Sequence, residues 1–180
     1  MTESEALNRS LVARCSIRQR PNSGAVILGL ALSLFSLIGS LAVAGSLKVL
    51  LPEAALGKSA ASSIAELPTF SLYALAVLLG PLLELLEFQV IPVELLRRIG
   101  ASSRTCVILS ALVFGSAHYL YGGLAHGAST FAAGLIFAYG YVLCRPFGWF
   151  PACLAAFTAH AAHNAVMVSL LVMFPQWASA

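Results

Sequence analysis

The stretch GAVILGLALSLFSLIGSLAVAGSL, from Gly24 to Leu47, runs for 24 residues without a charged side chain. A helix that crosses a bilayer needs about 20 apolar residues, so this stretch is long enough to span a membrane. The apolar part of a cleaved signal peptide is shorter, about 7–15 residues. We therefore interpret the stretch as a retained first span.

The composition of the whole chain agrees with a membrane protein. Of its 180 residues, 59% are hydrophobic and only 9% are charged, with a mean hydropathy of +0.90. A soluble domain of this size carries about 25% charged residues. The net charge of +3 comes from short basic flanks rather than from one basic face, so we expect no nucleic-acid partner. The four cysteines have no metal-ligand or redox spacing.

Five apolar runs are long enough to cross a bilayer, which predicts an all-α polytopic bundle of about five transmembrane helices. The glycine-rich stretch YGGLAHG, Tyr121–Gly127, is expected to be a turn between the third run and the fourth. VELLRRIG, after Pro92, is typical of a short amphipathic helix at the membrane interface. The runs cover about 24–50, 67–91, 105–124, 128–144 and 147–174.

Basic residues predict the orientation of these spans. Eight arginines fall on the side of the N-terminal tail 1–23, whereas Lys48 and Lys58 fall on the other side. Loops rich in Lys and Arg stay in the cytoplasm. The sequence therefore predicts a multi-pass protein of the cell membrane with a cytoplasmic N-terminus.

Ionisable side chains lie at similar depth in three of the spans. Glu84 lies 13 positions before Arg97, His118 lies 14 after Arg104, and His160 lies 15 after Arg145. At 1.5 Å per residue, each is about 20 Å along its helix from the arginine-rich boundary. Polar groups inside a membrane are costly and are functional by default. We therefore expect Glu84, His118 and His160, with Asn164 one turn beyond His160, to converge.

Acid–base chemistry suits this set. A carboxyl group removed from water holds a proton more readily, which adapts it to general acid–base work, and a histidine can share that role. A second histidine with an asparagine can stabilise an oxyanion. The chain contains no Asp, so it has no Ser-His-Asp triad. These residues predict a water, activated by Glu84 and His118, that attacks an amide in a cavity open toward the cytoplasm.

At these positions the chain resembles the CAAX-protease and bacteriocin-processing (CPBP) family of intramembrane endopeptidases. That family carries Glu-Glu-x-x-x-Arg, Phe-x-x-x-His and His-x-x-x-Asn/Asp motifs on successive helices. FGSAH (Phe114–His118) matches the second motif, HAAHN (160–164) the third, and GPLLELLEFQ (80–89) takes the place of the first. The resemblance implies an endopeptidase core over about 67–174, preceded by an extra N-terminal helix, 24–50.

By this resemblance, Glu84 would be the water-activating base, His118 its assistant, and His160 and Asn164 the oxyanion site. No cofactor is expected, although zinc bound by Glu84, His118 and His160 is an alternative. The implied partners are the lipid bilayer and a hydrophobic or lipid-modified peptide substrate. The sequence assigns no oligomeric state.

The first motif departs from the family at two positions. Leu85 replaces the second glutamate and Gln89 replaces the arginine, and Glu87 points to another side of the helix. These changes favour a second interpretation, a catalytically impaired member that acts as a membrane binding or scaffold protein. A proton-coupled transporter is a third, although no inverted repeat is evident. His163 fits core packing, a ligand role or a hydrogen-bond donor that supports a ligand, and His126 fits a solvated histidine in the outer turn.

Overall fold

The computed structural model describes residues 19–57 and 67–174, and every regular element within those ranges is helical. The predicted all-α membrane bundle is confirmed. Most of the predicted tail, residues 1–18, lies outside the described residues. Four helices in the described ranges are long and apolar enough to cross a membrane: α1 (Pro21–Leu50), α2 (Thr69–Arg98), α3 (Ser103–Cys144) and α4 (Trp149–Met173).

Helix α3 has 42 residues and folds back on itself at Gly123. Gly123 has φ 77° and ψ −169°, a conformation that costs little only for glycine. Its two arms, 103–122 and 124–144, correspond to the predicted third and fourth spans. The arms pack closely, since a Cβ added at Gly134 would lie 2.8 Å from the Phe114 ring. The predicted turn Tyr121–Gly127 is therefore shorter than expected. Gly123 has non-helical backbone angles, and the residues on both sides of it are helical.

Helix α2 contains two π-helical segments, Ala74–Leu79 and Leu85–Val90, on either side of Gly80–Glu84. Each lies one turn before a proline, Pro81 or Pro92, which has no backbone N–H to donate. The carbonyl that would have accepted this N–H needs another hydrogen-bond donor inside a membrane. The Asn164 side chain donates to the Ala76 carbonyl, and the Ser110 hydroxyl donates to the Phe88 carbonyl.

The segment after Pro92 differs from its predicted form. Ile91–Arg98 is helical, but it continues α2 directly rather than forming a separate helix. The Ile91 N–H bonds to the Leu86 carbonyl, so backbone hydrogen bonding is continuous up to the residue before Pro92. Val93 is fully buried in this segment.

At the arginine-rich end, Glu94 of α2 is bonded to residues near the end of α3. Arg145 Nε and Nη2 lie 2.5 and 3.1 Å from the two Glu94 carboxylate oxygens. The hydroxyl of the fully buried Tyr141 donates to the same carboxylate at 2.8 Å. A bidentate arginine–carboxylate pair is among the stronger polar contacts. This cluster fixes the end of α2 against α3.

Helix α1 packs against α3 and α4 through small residues. A Cβ added at Gly29 would lie 2.7 Å from the Ala155 carbonyl oxygen, so the backbones of α1 and α4 are in close contact. Ser33, Ser36 and Ser40 are also buried along this face. Small residues permit close approach of membrane helices. The N-terminal helix is therefore part of the bundle.

Candidate active site

Glu84, His118 and His160 converge, as their matched depth predicts. Glu84 Oε2 lies 3.4 Å from His160 Nε2 and 3.8 Å from His118 Nε2. Their helices differ: α2 provides Glu84, the first arm of α3 provides His118, and α4 provides His160. The three side chains form a compact cluster of one carboxyl group and two imidazoles.

The ring of His118 is oriented by its own helix. Its Nδ1 lies 2.9 Å from the carbonyl oxygen of Phe114, one turn earlier. Because a carbonyl only accepts, Nδ1 carries the proton, and Nε2 of the neutral ring is an acceptor. The Phe114 ring packs edge-on against the His118 ring, with 4.4 Å between centroids. The four-residue spacing of Phe114 and His118 thus sets both the tautomer and the orientation.

His160 is the most enclosed member of the cluster. Its side chain is 4% exposed, and its ring stacks on Phe137 at 4.4 Å between centroids. Nδ1 of His160 has no hydrogen-bond partner among the described residues. Nε2 is therefore the ring nitrogen that faces Glu84.

Asn164 lies one turn beyond His160 on α4. Its Nδ2 donates to the Ala76 carbonyl at 2.8 Å. The amide group carries two N–H donors, so one remains. This bond fixes the side chain of Asn164 in the wall of the cavity that also holds Glu84 and His160.

A cavity of about 860 Å³ extends from the cluster between the helices. Its far wall includes Lys48 near the end of α1, Tyr121 near the α3 bend and Leu171 near the end of α4. These residues lie at the end of the bundle opposite Arg97 and Arg145. With the arginine-rich end in the cytoplasm, the cavity extends away from the cytoplasm, so the predicted cytoplasmic opening is wrong for that orientation. The matched depth predicts how far along its helices the cluster lies. It does not predict at which end of the bundle the helices separate to leave a cavity.

Sequence reasoning missed several residues of this cavity. Ser40 of α1 lines it, and Ser36 bonds at 2.8 Å to His163, which also lines it. His126 contacts the cavity too, with its ring 5.2 Å from that of His118, and so differs from the predicted solvated turn residue. The sequence did contain a signal for the contribution of α1 to the cavity, because Ser33, Ser36 and Ser40 recur at helical spacing on one face of this helix.

The two departures in the first motif are both buried. Leu85 is 3% exposed and Gln89 is 1% exposed, whereas Glu87 is exposed. Gln89 Nε2 has no hydrogen-bond partner within the described ranges. The exposure of Glu87 agrees with its predicted helix angle, so it does not replace the missing glutamate.

A zinc ion held by Glu84, His118 and His160 is the alternative to a metal-free site. Within residues 19–57 and 67–174, no group of three or more His, Cys, Asp or Glu side chains has an arrangement that could hold a metal ion. The absence of a cofactor stays a prediction, and zinc bound by these three side chains stays the alternative.

Residues 66–166 match the model of a family described as Rce1-like, type II CAAX prenyl endopeptidase. The match covers more than half of the chain and includes Glu84, His118, His160 and Asn164, whereas α1 lies outside it. Neither the curated proteins nor the solved structures give a match.

Proposed function

The chain belongs to the Rce1-like family of type II CAAX prenyl endopeptidases, and on this premise we propose that Glu84 and His118 activate the water that cleaves the substrate. Membership in this family supports a CAAX-type intramembrane protease in general terms. The roles of individual residues, the substrate and the orientation in the membrane are the parts that we propose.

One observation carries the proposal: two acceptor atoms face each other at 3.8 Å, Glu84 Oε2 and His118 Nε2. Nε2 is an acceptor because Nδ1 of the same ring donates to Phe114. A water molecule with hydrogen bonds of about 2.8 Å to each atom fits between them, with both its hydrogens engaged and its lone pairs free. Such a water is oriented for nucleophilic attack.

In the proposed reaction, Glu84 takes one proton from this water while His118 holds the other hydrogen. The water oxygen forms a bond to the carbonyl carbon of the peptide, and the carbonyl oxygen becomes an oxyanion. Glu84 then returns its proton to the amide nitrogen as the C–N bond breaks. The oxyanion re-forms the C=O double bond as the C–N bond breaks, and the products are a carboxylic acid and an amine. The acid then gives its proton to the amine, which yields a carboxylate and an ammonium group, so protons and electron pairs balance. Glu84 acts first as general base and then as general acid.

We assign the oxyanion to His160 and Asn164. We assign the proton of His160 to Nε2, because this nitrogen lies 3.4 Å from the Glu84 carboxylate. The Nε2–H of His160 and the second N–H of Asn164 are then donors in the wall of the same cavity. The burial of His160 and the bond from Asn164 to Ala76 hold both groups in place before the substrate arrives. Donors fixed in this way stabilise developing charge without reorganising during the reaction.

A hydrophobic or lipid-modified peptide is the substrate class that fits the cavity. Beyond its polar and charged side chains, the wall of the cavity is apolar and includes Leu75, Met167 and Leu171. Four membrane-capable helices indicate a multi-pass membrane protein. We place it in the cell membrane with a cytoplasmic N-terminus, so that the substrate enters from the outer side.

Purified protein in proteoliposomes, offered a farnesylated CAAX-type peptide and unmodified hydrophobic peptides, tests this function by mass spectrometry of the products. We expect one cleaved bond, no cleavage by Glu84→Gln, and unchanged cleavage after treatment with a zinc chelator. Equal cleavage by wild type and Glu84→Gln would contradict the glutamate mechanism. Loss of cleavage after chelation, restored by zinc, would support the zinc alternative.

The first-motif departures favour a second candidate, a membrane binding or scaffold protein that kept the fold. Leu85 and Gln89 leave Glu84 without the second carboxylate and the arginine of the family motif. The buried Gln89 Nε2 has no hydrogen-bond partner in the part of the chain that the structure describes. This candidate predicts that wild type binds peptides and cleaves none of them. It also predicts that Leu85→Glu with Gln89→Arg, which restores the motif, creates cleavage activity, whereas our first proposal requires activity without these changes.

A further inference from the structure

His163 is a buried histidine in the cavity that the proposed reaction does not use. It is 8% exposed, and it lines the same cavity as Glu84, His160 and Asn164. Its Nδ1 lies 2.8 Å from the hydroxyl of Ser36, which is 0% exposed on α1. The hydrogen bond therefore joins the cavity to a helix outside the residues that match the family.

The proton positions in this contact follow from the partners of Ser36. A serine hydroxyl has one hydrogen, and the Ser36 oxygen also lies 2.8 Å from the Ser33 carbonyl oxygen. Only one assignment makes both contacts hydrogen bonds: Ser36 donates to Ser33, and His163 Nδ1–H donates to Ser36. In the neutral ring, Nε2 of His163 is then an acceptor.

The orientation of the His163 ring is fixed from two sides. Ser36 holds the Nδ1 edge, and Phe137 packs perpendicular to the ring with 5.7 Å between centroids. The same Phe137 ring stacks on His160. Because Nδ1 is occupied, Nε2 is the polar atom that His163 offers to the cavity.

We propose that His163 is a substrate-positioning residue whose Nε2 accepts a hydrogen bond from a backbone N–H of the peptide in the cavity, and that Ser36 sets the tautomer this requires. This inference rests on the proposed function, because it assumes a peptide beside Glu84 and His160. It makes α1 a part of substrate recognition. The site then selects for a donor on the substrate, since a carbonyl at that point would face another acceptor.

Two substitutions of His163 separate the roles of its ring nitrogens. In His163→Asn, the side-chain amide takes the place of Nδ1 and can still donate to Ser36, but the Nε2 acceptor is lost. In His163→Gln, the amide oxygen reaches the position of Nε2 and preserves an acceptor. Ser36→Ala removes the group that sets the tautomer.

The first test is the tautomer itself, read from long-range ¹H–¹⁵N correlation spectra of the histidine rings in detergent micelles. We expect His163 of the full-length protein to carry its proton on Nδ1, and the Ser36→Ala variant to shift toward Nε2–H. An Nε2–H form in the unaltered protein would overturn the inference whether or not the protein cleaves peptides.

The second test is binding of a farnesylated CAAX-type peptide in the Glu84→Gln background, where no cleavage is expected. We expect His163→Asn to raise Kd about five- to tenfold and Ser36→Ala to raise it severalfold, while His163→Gln stays within about threefold. Equal affinity of His163→Asn and the parent would overturn the inference. Cleavage is measured separately, with the protein that retains Glu84. A protein that cleaves no peptide would contradict the proposed function without changing the result of this binding test.

Discussion

Asn164 Nδ2 donates to the carbonyl oxygen of Ala76 at 2.8 Å and thereby ties α4 to the π-helical part of α2. In that segment the Gly80 N–H bonds back to Leu75, so the next residue, Pro81, would bond to Ala76 if it had an N–H. Asn164 supplies the donor that Pro81 lacks. A residue assigned to the oxyanion site thus also stabilises the helix that carries Glu84.

A double-mutant cycle between these two positions tests that relationship. Asn164→Ala leaves the Ala76 carbonyl without a donor and is expected to cost about 1–3 kcal/mol of unfolding free energy. In the Pro81→Ala background the backbone regains an N–H, so the same substitution should cost clearly less. Thermal unfolding in detergent measures both, and an equal loss in the two backgrounds would contradict the pairing.

Gly29→Ala tests whether α1 is an integral part of the bundle. The new methyl group would lie 2.7 Å from both the Ala155 carbonyl oxygen and the Thr158 Cβ, so α1 and α4 must separate. Overpacking of this kind costs about 1–3 kcal/mol, and we expect a lower unfolding temperature. Gly39→Ala is the matched control, because a Cβ there meets nothing within 4 Å. Equal unfolding temperatures for the two variants would contradict the packing of α1.

Tyr141→Phe tests the polar cluster at the arginine-rich end. It removes a buried O–H that donates to the Glu94 carboxylate, and hydrogen bonds to charged groups contribute about 1.5–3 kcal/mol. We expect a lower unfolding temperature with the active-site cluster unchanged. Tyr139→Phe, two residues earlier and 48% exposed, is the control. If both variants unfold at the same temperature as wild type, the Tyr141–Glu94 bond does not stabilise the fold.

Cysteine labelling tests the side of the membrane that the cavity faces. In a Cys15→Ser background the other three cysteines are buried, which leaves little background labelling. We expect Tyr121→Cys, at the far wall of the cavity, to react with a membrane-impermeant maleimide in intact cells. Ser103→Cys, at the arginine-rich end, should react only after permeabilisation. The reverse pattern would place the N-terminus outside and the cavity toward the cytoplasm.

Sequence periodicity and depth predicted the helical bundle and the meeting of Glu84 with two histidines. That prediction worked because charged flanks mark the membrane boundary, and helical rise converts residue number into depth. The role of Ser36 could not be derived in the same way, because its partner His163 is 127 residues away along the chain. The end of the bundle toward which the cavity extends could not be predicted either. It depends on where the helices separate, and side-chain packing between distant parts of the chain decides that.

The catalytic roles of Glu84, His118, His160 and Asn164 stay predictions. The structure shows that these side chains line one cavity, and only a rate measurement tests what they do there. For Glu84, the same helix offers a matched control residue. Glu87 lies three residues later, is exposed, and does not line the cavity. A substitution of Glu87 therefore removes a carboxylate from the same helix without removing a side chain from the cavity wall.

The most direct test is the rate of peptide cleavage by Glu84→Gln and Glu87→Gln, measured side by side in proteoliposomes at saturating farnesylated peptide. Loss of a general base costs about 10²–10⁴-fold, so we expect a fall of that size for Glu84→Gln and a rate within about twofold of wild type for Glu87→Gln. Both variants should unfold at the wild-type temperature or above. Cleavage by Glu84→Gln at the wild-type rate would contradict the account.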